Sequence, residues 1–197
     1  MKNIEGIEEY LKPTECIDFE NPLIKKQSHM LIRGSKDKVD YIKRAYCFVR
    51  DEITHSWDVG ETIVSITASD VLKNGTGICW TKSCLLAALL RANIIPAGIS
   101  YQRLTRADAD AGDGYIIHAL NTIYIEEIGK WIRLDARGNK SSVHAEFNIT
   151  KEILAFPIRA ELGECDYLDN HPDLDSRLVA ILKGSENVLN IHADILF

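Results

Sequence analysis

The chain has 197 residues, 46% of them hydrophobic and 26% charged, with 23 Lys and Arg against 29 Asp and Glu for a net charge of −6. That balance excludes intrinsic disorder as the main state, and the length suits a single domain spanning 1–197 with its own core. An acidic chain has no basic excess to neutralise phosphates, so nucleic acid is not an expected partner.

The start, Met1 to Gly6, lacks the apolar run of a signal peptide. The five cysteines are odd in number and spaced for neither a disulfide framework nor a zinc knuckle. A cytoplasmic protein with reduced thiols is expected, without a membrane partner. Residues 1–20 show no clear period. Asn21-Pro22 reads as a helix cap followed by proline in the first turn, with Gly34 as the stop. A second helix is predicted from near Ser35 or Asp37, because Val39, Ile42, Tyr46, Val49 and Ile53 recur at three- and four-residue steps. Thr62 to Thr67 reads as a short extended run. Ser69 to Lys73 makes about one helical turn, which Asn74-Gly75 ends. Cys79 to Ala92 is a run of good helix formers, with Leu85, Leu86, Leu89 and Leu90 dense enough for burial. Beyond Pro96 the period falls to two, giving strands over 97–105, 115–125 and 130–135. The last two are joined tightly enough for a hairpin. Residues 106–114 read as a polar loop, and helices are expected near 150–155 and 173–183. The layout is α+β: a helical N-terminal part whose central helix packs on an antiparallel sheet.

Cys79 follows Gly75-Thr76-Gly77 and opens the buried helix. Free N–H groups and the helix dipole at that end favour a thiolate, and the glycines leave room for a substrate. The plain alternative is a small buried hydrophobe. A thiolate needs a base and a group to orient it. His118 lies within one strand and Asp135 ends the next. Reflection about residue 127 or 128 sets 118 opposite about 137, close enough to Asp135 for hairpin bulges to absorb the offset. Such an aspartate fixes the imidazole tautomer and stabilises imidazolium. Taken one at a time, the two residues also fit a satisfied core histidine and a turn aspartate.

Three ordered motifs carry a family likeness. They are Asp70 to Trp80 with its helix, His118-Ala119-Leu120-Asn121-Thr122-Ile123-Tyr124, and Gly129-Lys130-Trp131-Ile132-Arg133-Leu134-Asp135. The helix exit Arg91-Ala92-Asn93-Ile94-Ile95-Pro96-Ala97 adds to it, read with Asn93 in place of a glycine. Over about residues 37–138 the chain resembles the transglutaminase-like superfamily of papain-type thiol enzymes, most of all its small microbial members. The resemblance implies Cys79 as nucleophile, His118 as base and Asp135 as orienter. Leu120 stands where the family usually has Trp, and Thr122 where it often has Glu.

An acyl-transfer site also needs oxyanion donors. The Cys79 N–H is one, and Thr54 to Asp58 is the expected source of a second, with His55 or Trp57 foremost. Trp80 either walls the cleft or packs. Cys84, about 140° round the helix from Cys79, is expected in the core. Ser83 lacks an elbow motif, no metal site is expected, and Asp108, Asp110 and Asp113 read as a solvated loop. His144, His171 and His192 show no partner and read as surface. The expected activity is cofactor-free attack on a peptide or small amide through an acyl-enzyme, with hydrolysis favoured. Transfer to an amine, use of a small thioester donor, and a non-catalytic binding module that keeps the fold are the alternatives.

Overall fold

The computed structural model describes residues 6–106 and 114–191. Helix α1 (Pro22–Arg33) starts as its sequence dictates: the Asn21 side chain accepts the Leu23 N–H, and Pro22 fills the first turn. Helix α2 (Lys38–Cys47) is capped by Asp37 and widens into a π-turn at Phe48–Glu52. The apolar stripe from Val39 to Ile53 therefore spans an α-helix, a π-turn and one extended residue, rather than one helix. A two-residue strand β1 (Thr54–His55) and the single turn α3 (Ser56–Val59) lead to helix α4 (Ala68–Asn74). A reciprocal Thr67–Asp70 capping box starts α4, and Gly75, at φ 67°, ends it. The run Thr62–Thr67 is extended but unpaired; the Thr62 carbonyl accepts from the Val188 N–H, and Ser65 Oγ donates to the Thr76 carbonyl.

Strand β2 (Thr76–Gly77) pairs in parallel with β1, setting His55 opposite Gly77. Helix α5 (Cys79–Arg91) follows at once. From Trp80 to Arg91 it is buried all round, and Leu85, Leu86, Leu89 and Leu90 are fully sequestered. Each such leucine contributes about 1.5–3 kcal/mol of burial, which makes α5 the axis of the core. Arg91, also buried, donates to the carbonyls of Lys12, Ala97 and Pro172 and so ties three segments to the helix end.

The exit from α5 corrects the expected register of the glycine. Ile94, not Asn93, holds the left-handed conformation, at φ 58°. Asn93 instead donates to Ser28 Oγ.

Strands β3 (Ala97–Thr105), β4 (Tyr115–Ile125), β5 (Lys130–Leu134) and β6 (Cys165–His171) form an antiparallel sheet in the order β5-β4-β3-β6. The first three coincide with the predicted strands, apart from Asp135, which lies just past the end of β5. β6 is a strand that sequence patterning misses. Asp166, Asp169 and Asn170 disfavour it, and it forms because the edge of β3 offers a template. Helix α6 (Ser176–Lys183) closes the fold. No helix forms near 150–155. Asn148 accepts the Thr150 and Lys151 N–H groups in a tight turn, and the segment continues irregularly past β5. The loop aspartates Asp108, Asp110 and Asp113, and His192, lie outside the described residues. No helix among the described residues is long and apolar enough to cross a membrane.

Candidate active site

Helix α5 meets the sheet at β4, and its first turns are braced there. The Trp80 indole N–H donates to the Ile117 carbonyl at 2.7 Å. Ser83 Oγ donates to the Ala119 carbonyl, and Asn121 Nδ2 donates to the Ser83 carbonyl at 2.9 Å. These three bonds flank His118 and fix it relative to the helix start. Ser83 and Asn121 are therefore positioning residues that sequence reasoning missed. The available signal was a polar side chain inside each of two mostly apolar elements, which a buried strand or helix keeps only if it is hydrogen-bonded.

The register of β4 and β5 runs unbroken from Ile125↔Lys130 to Asn121↔Leu134. Continued one step at a time, it sets His118 opposite Arg137, so Asp135 is its diagonal neighbour on the same face. No bulge is needed between them. Asp135 Oδ2 lies 2.8 Å from His118 Nε2. Asp135 also accepts the Arg137 N–H at Oδ1 and the Ala155 N–H at Oδ2, each at 3.1 Å. The irregular segment after β5 thus supplies a donor to the carboxylate, a contact no local pattern reveals.

With Nε2 committed to Asp135, Nδ1 is the His118 nitrogen left for Cys79, whose sulfur interacts with the imidazole and with the Ala119 N–H. Ile78 provides no side-chain cap for the first N–H groups of α5, which lie at the end of the helix that carries the sulfur. Burial pushes the Cys79 thiol up, but the His118 charge and hydrogen bond and the Ala119 N–H outweigh it, leaving the pKa below the usual value. Burial acts against a charged His118, yet the Asp135 and Cys79 charges raise its pKa. Burial also acts against the Asp135 carboxylate, which the His118 charge and three hydrogen bonds keep below its ordinary range. All three directions favour a thiolate–imidazolium–carboxylate line in a buried site.

The sulfur opens into a cleft of about 660 Å³ lined by residues including His55, Trp57, Trp80 and Phe156. The Phe156 ring stands edge-on to His118, with centroids 5.0 Å apart. Of the expected second donors, Trp57 gives its indole N–H to the Val188 carbonyl at 3.1 Å, and Trp80 is committed to Ile117. Both line the cleft, but neither N–H is turned to an oxyanion. His55 differs. It is 6% exposed, and its Nδ1 has no hydrogen-bond partner among the described residues. Burial, then the Arg137 and Lys82 charges, hold it well below the ordinary histidine pKa, so it is a neutral imidazole.

The remaining candidates fall elsewhere. Cys84 is wholly in the core, bonding its thiol to the Trp80 carbonyl. His144 is exposed, as a surface residue should be, but pairs with Glu146 at 2.7 Å, and His171 in β6 packs on Tyr101 of β3, so both have partners the sequence does not show.

A central helix opening with a cysteine against an antiparallel sheet that carries the histidine defines an α+β fold of the papain type. The sequence matches the Transglutaminase-like superfamily over residues 25–136. The chain belongs to that superfamily. A solved candidate cysteine protease from Cytophaga hutchinsonii superposes with a TM-score of 0.55 at 20% identity, over 68% of this chain and 43% of that one. The periplasmic domain of TgpA from Pseudomonas aeruginosa gives 0.48 at 16% identity, over 68% and 48%. The chain thus spans less than half the length of either structure. No curated protein matches it.

Proposed function

We propose that this protein is a cysteine-nucleophile enzyme that hydrolyses an amide bond through an acyl-enzyme. The observation that carries the reading is the Cys79–His118–Asp135 line at the start of α5, open to a cleft. The Cys79 thiolate attacks the carbonyl carbon, and the carbonyl electrons move to oxygen. The Cys79 N–H and a neutral His55 donate to that oxyanion. As the C–N bond breaks, imidazolium His118 gives its proton to the leaving amine. Water then attacks the thioester while His118 takes its proton, and the sulfur leaves as thiolate. Asp135 holds the ring and offsets its charge throughout. The superfamily match and the cysteine-protease neighbour support a thiol enzyme of this class.

The test is iodoacetamide labelling against pH, followed residue by residue by mass spectrometry. Cys79 should react faster than the other four thiols at pH 7, with an apparent pKa under about 8.5. His118→Ala should remove that advantage. Wild-type turnover of a quenched peptide library should release a free carboxylic acid, and Cys79→Ala should not. A Cys79 no more reactive than Cys47 or Cys165 refutes the reading.

A further inference from the structure

The cleft's charge runs against that of the chain. Its described lining carries four cations, Arg106, Arg137, Lys140 and Arg159, and one carboxylate, Glu164, in a protein of net charge −6. Glu164 is spent on Arg159, which it binds at 2.6 Å, and on the Thr105 hydroxyl. Across the cleft, Arg137 and Lys140 share Asp58. The Arg137 guanidinium grips it through both Nη atoms, and Lys140 Nζ lies 3.0 Å from its Oδ1. Two cations on one carboxylate leave an uncompensated charge on that wall.

Arg137 is the centre of the feature. Its side chain is 7% exposed, and its backbone N–H is bound to Asp135. Only two of its five guanidinium hydrogens are used on Asp58. Those on Nε and the outer positions of Nη1 and Nη2 meet no acceptor among the described residues. Asp58 stays ionised: burial pushes it up, and Arg137 and Lys140 bring its pKa down to about 2. The guanidinium is thus held on Asp58 in the lining of the cleft that holds the nucleophile, with donors to spare. That is the arrangement that recognises a planar anion.

We infer that the substrate carries a carboxylate, seated on Arg137 and Lys140 while its amide lies against Cys79. This deepens the proposed activity and rests on it for turnover, though not for binding. An acidic side chain and a free peptide C-terminus present the same group, and both fit the chemistry.

Binding is measured on Cys79→Ala protein with four hexapeptides of otherwise identical sequence. Three are blocked at both ends and carry Glu, Gln or Lys at the centre. The fourth carries Gln and a free C-terminus. At low salt the Glu peptide, the free-acid peptide, or both should bind at least about tenfold tighter than the blocked Gln peptide. Which of them does so identifies the source of the carboxylate. The preference should shrink as salt shortens the screening length. Lys140→Glu, at an exposed position that leaves the core untouched, should remove most of it, as should Arg137→Met. Equal binding of all four peptides, no measurable binding by any, a preference for Lys, or a preference that survives both substitutions overturns the inference. The same peptides given to wild-type protein separate the two readings. Cleavage without charge preference sinks the inference and leaves the activity. Selective binding of acidic peptides that are never cleaved sinks the activity and leaves the inference.

Discussion

Lys82 lies on α5 one turn beyond Cys79, wholly out of solvent, with its ammonium donating to the Ile53 carbonyl. Burial, then the Arg137 charge, lower its pKa from 10.5 to about 7 against the opposing pull of Asp135, Asp58 and Asp51. The unfolded chain holds this proton up to its ordinary pKa; the folded chain releases it near neutrality. Between the two values the unfolded state binds more protons, so stability rises with pH across that window. Lowering the pKa this far costs the fold about 5 kcal/mol at pH 6 and about 2 kcal/mol at pH 9. Lys82→Met removes that cost and keeps most of the aliphatic volume, but it leaves the Ile53 carbonyl without its donor, a loss of about 1–2 kcal/mol. The variant should therefore be more stable than wild type by about 3 kcal/mol at pH 6 and within about 1 kcal/mol of it at pH 9. Urea unfolding followed by circular dichroism at both pH values gives the difference directly. A variant less stable than wild type at pH 6, or a gap that does not narrow with pH, refutes the reasoning.

Two further substitutions probe the site and the scaffold. Asp135→Asn keeps one acceptor oxygen, so either the Arg137 or the Ala155 N–H loses its partner, and it removes the charge facing His118. Turnover should drop on the order of 10³–10⁴-fold, and Cys79 labelling at pH 6 should slow as imidazolium loses its counter-ion. Because the native Asp135 pKa lies below its unfolded value, wild type should lose stability as the pH falls below about 4, and the variant should lose less over that range. Ile94 is a β-branched residue, 76% exposed, in the left-handed region. Ile94→Gly should raise stability by about 1 kcal/mol net of glycine's entropy, with peptide turnover unchanged. A lower melting temperature for Ile94→Gly would count against strain at the α5 exit.

Much of the site was legible in the chain because its parts are local. Cys79 is placed by Gly75, Gly77 and the leucine run behind it, and the strands of His118 and Asp135 are placed by period-two patterning and a short connection. What the sequence determines is thus the elements and the order in which they present these three residues. Only the tertiary structure decides what surrounds them. Ala155 N–H, bound to Asp135, comes from a segment whose pattern suggests a helix. β6 exists because β3 has a free edge to satisfy, not because Asp166 and Asn170 favour extension. Trp57 loses its freedom as a donor to the carbonyl of Val188, 131 residues away, while His55 keeps a nitrogen with no partner among the described residues. Hydrogen bonds made at such separations, and the burial that sets their strength, depend on which surfaces meet, and no window of neighbouring residues contains that information.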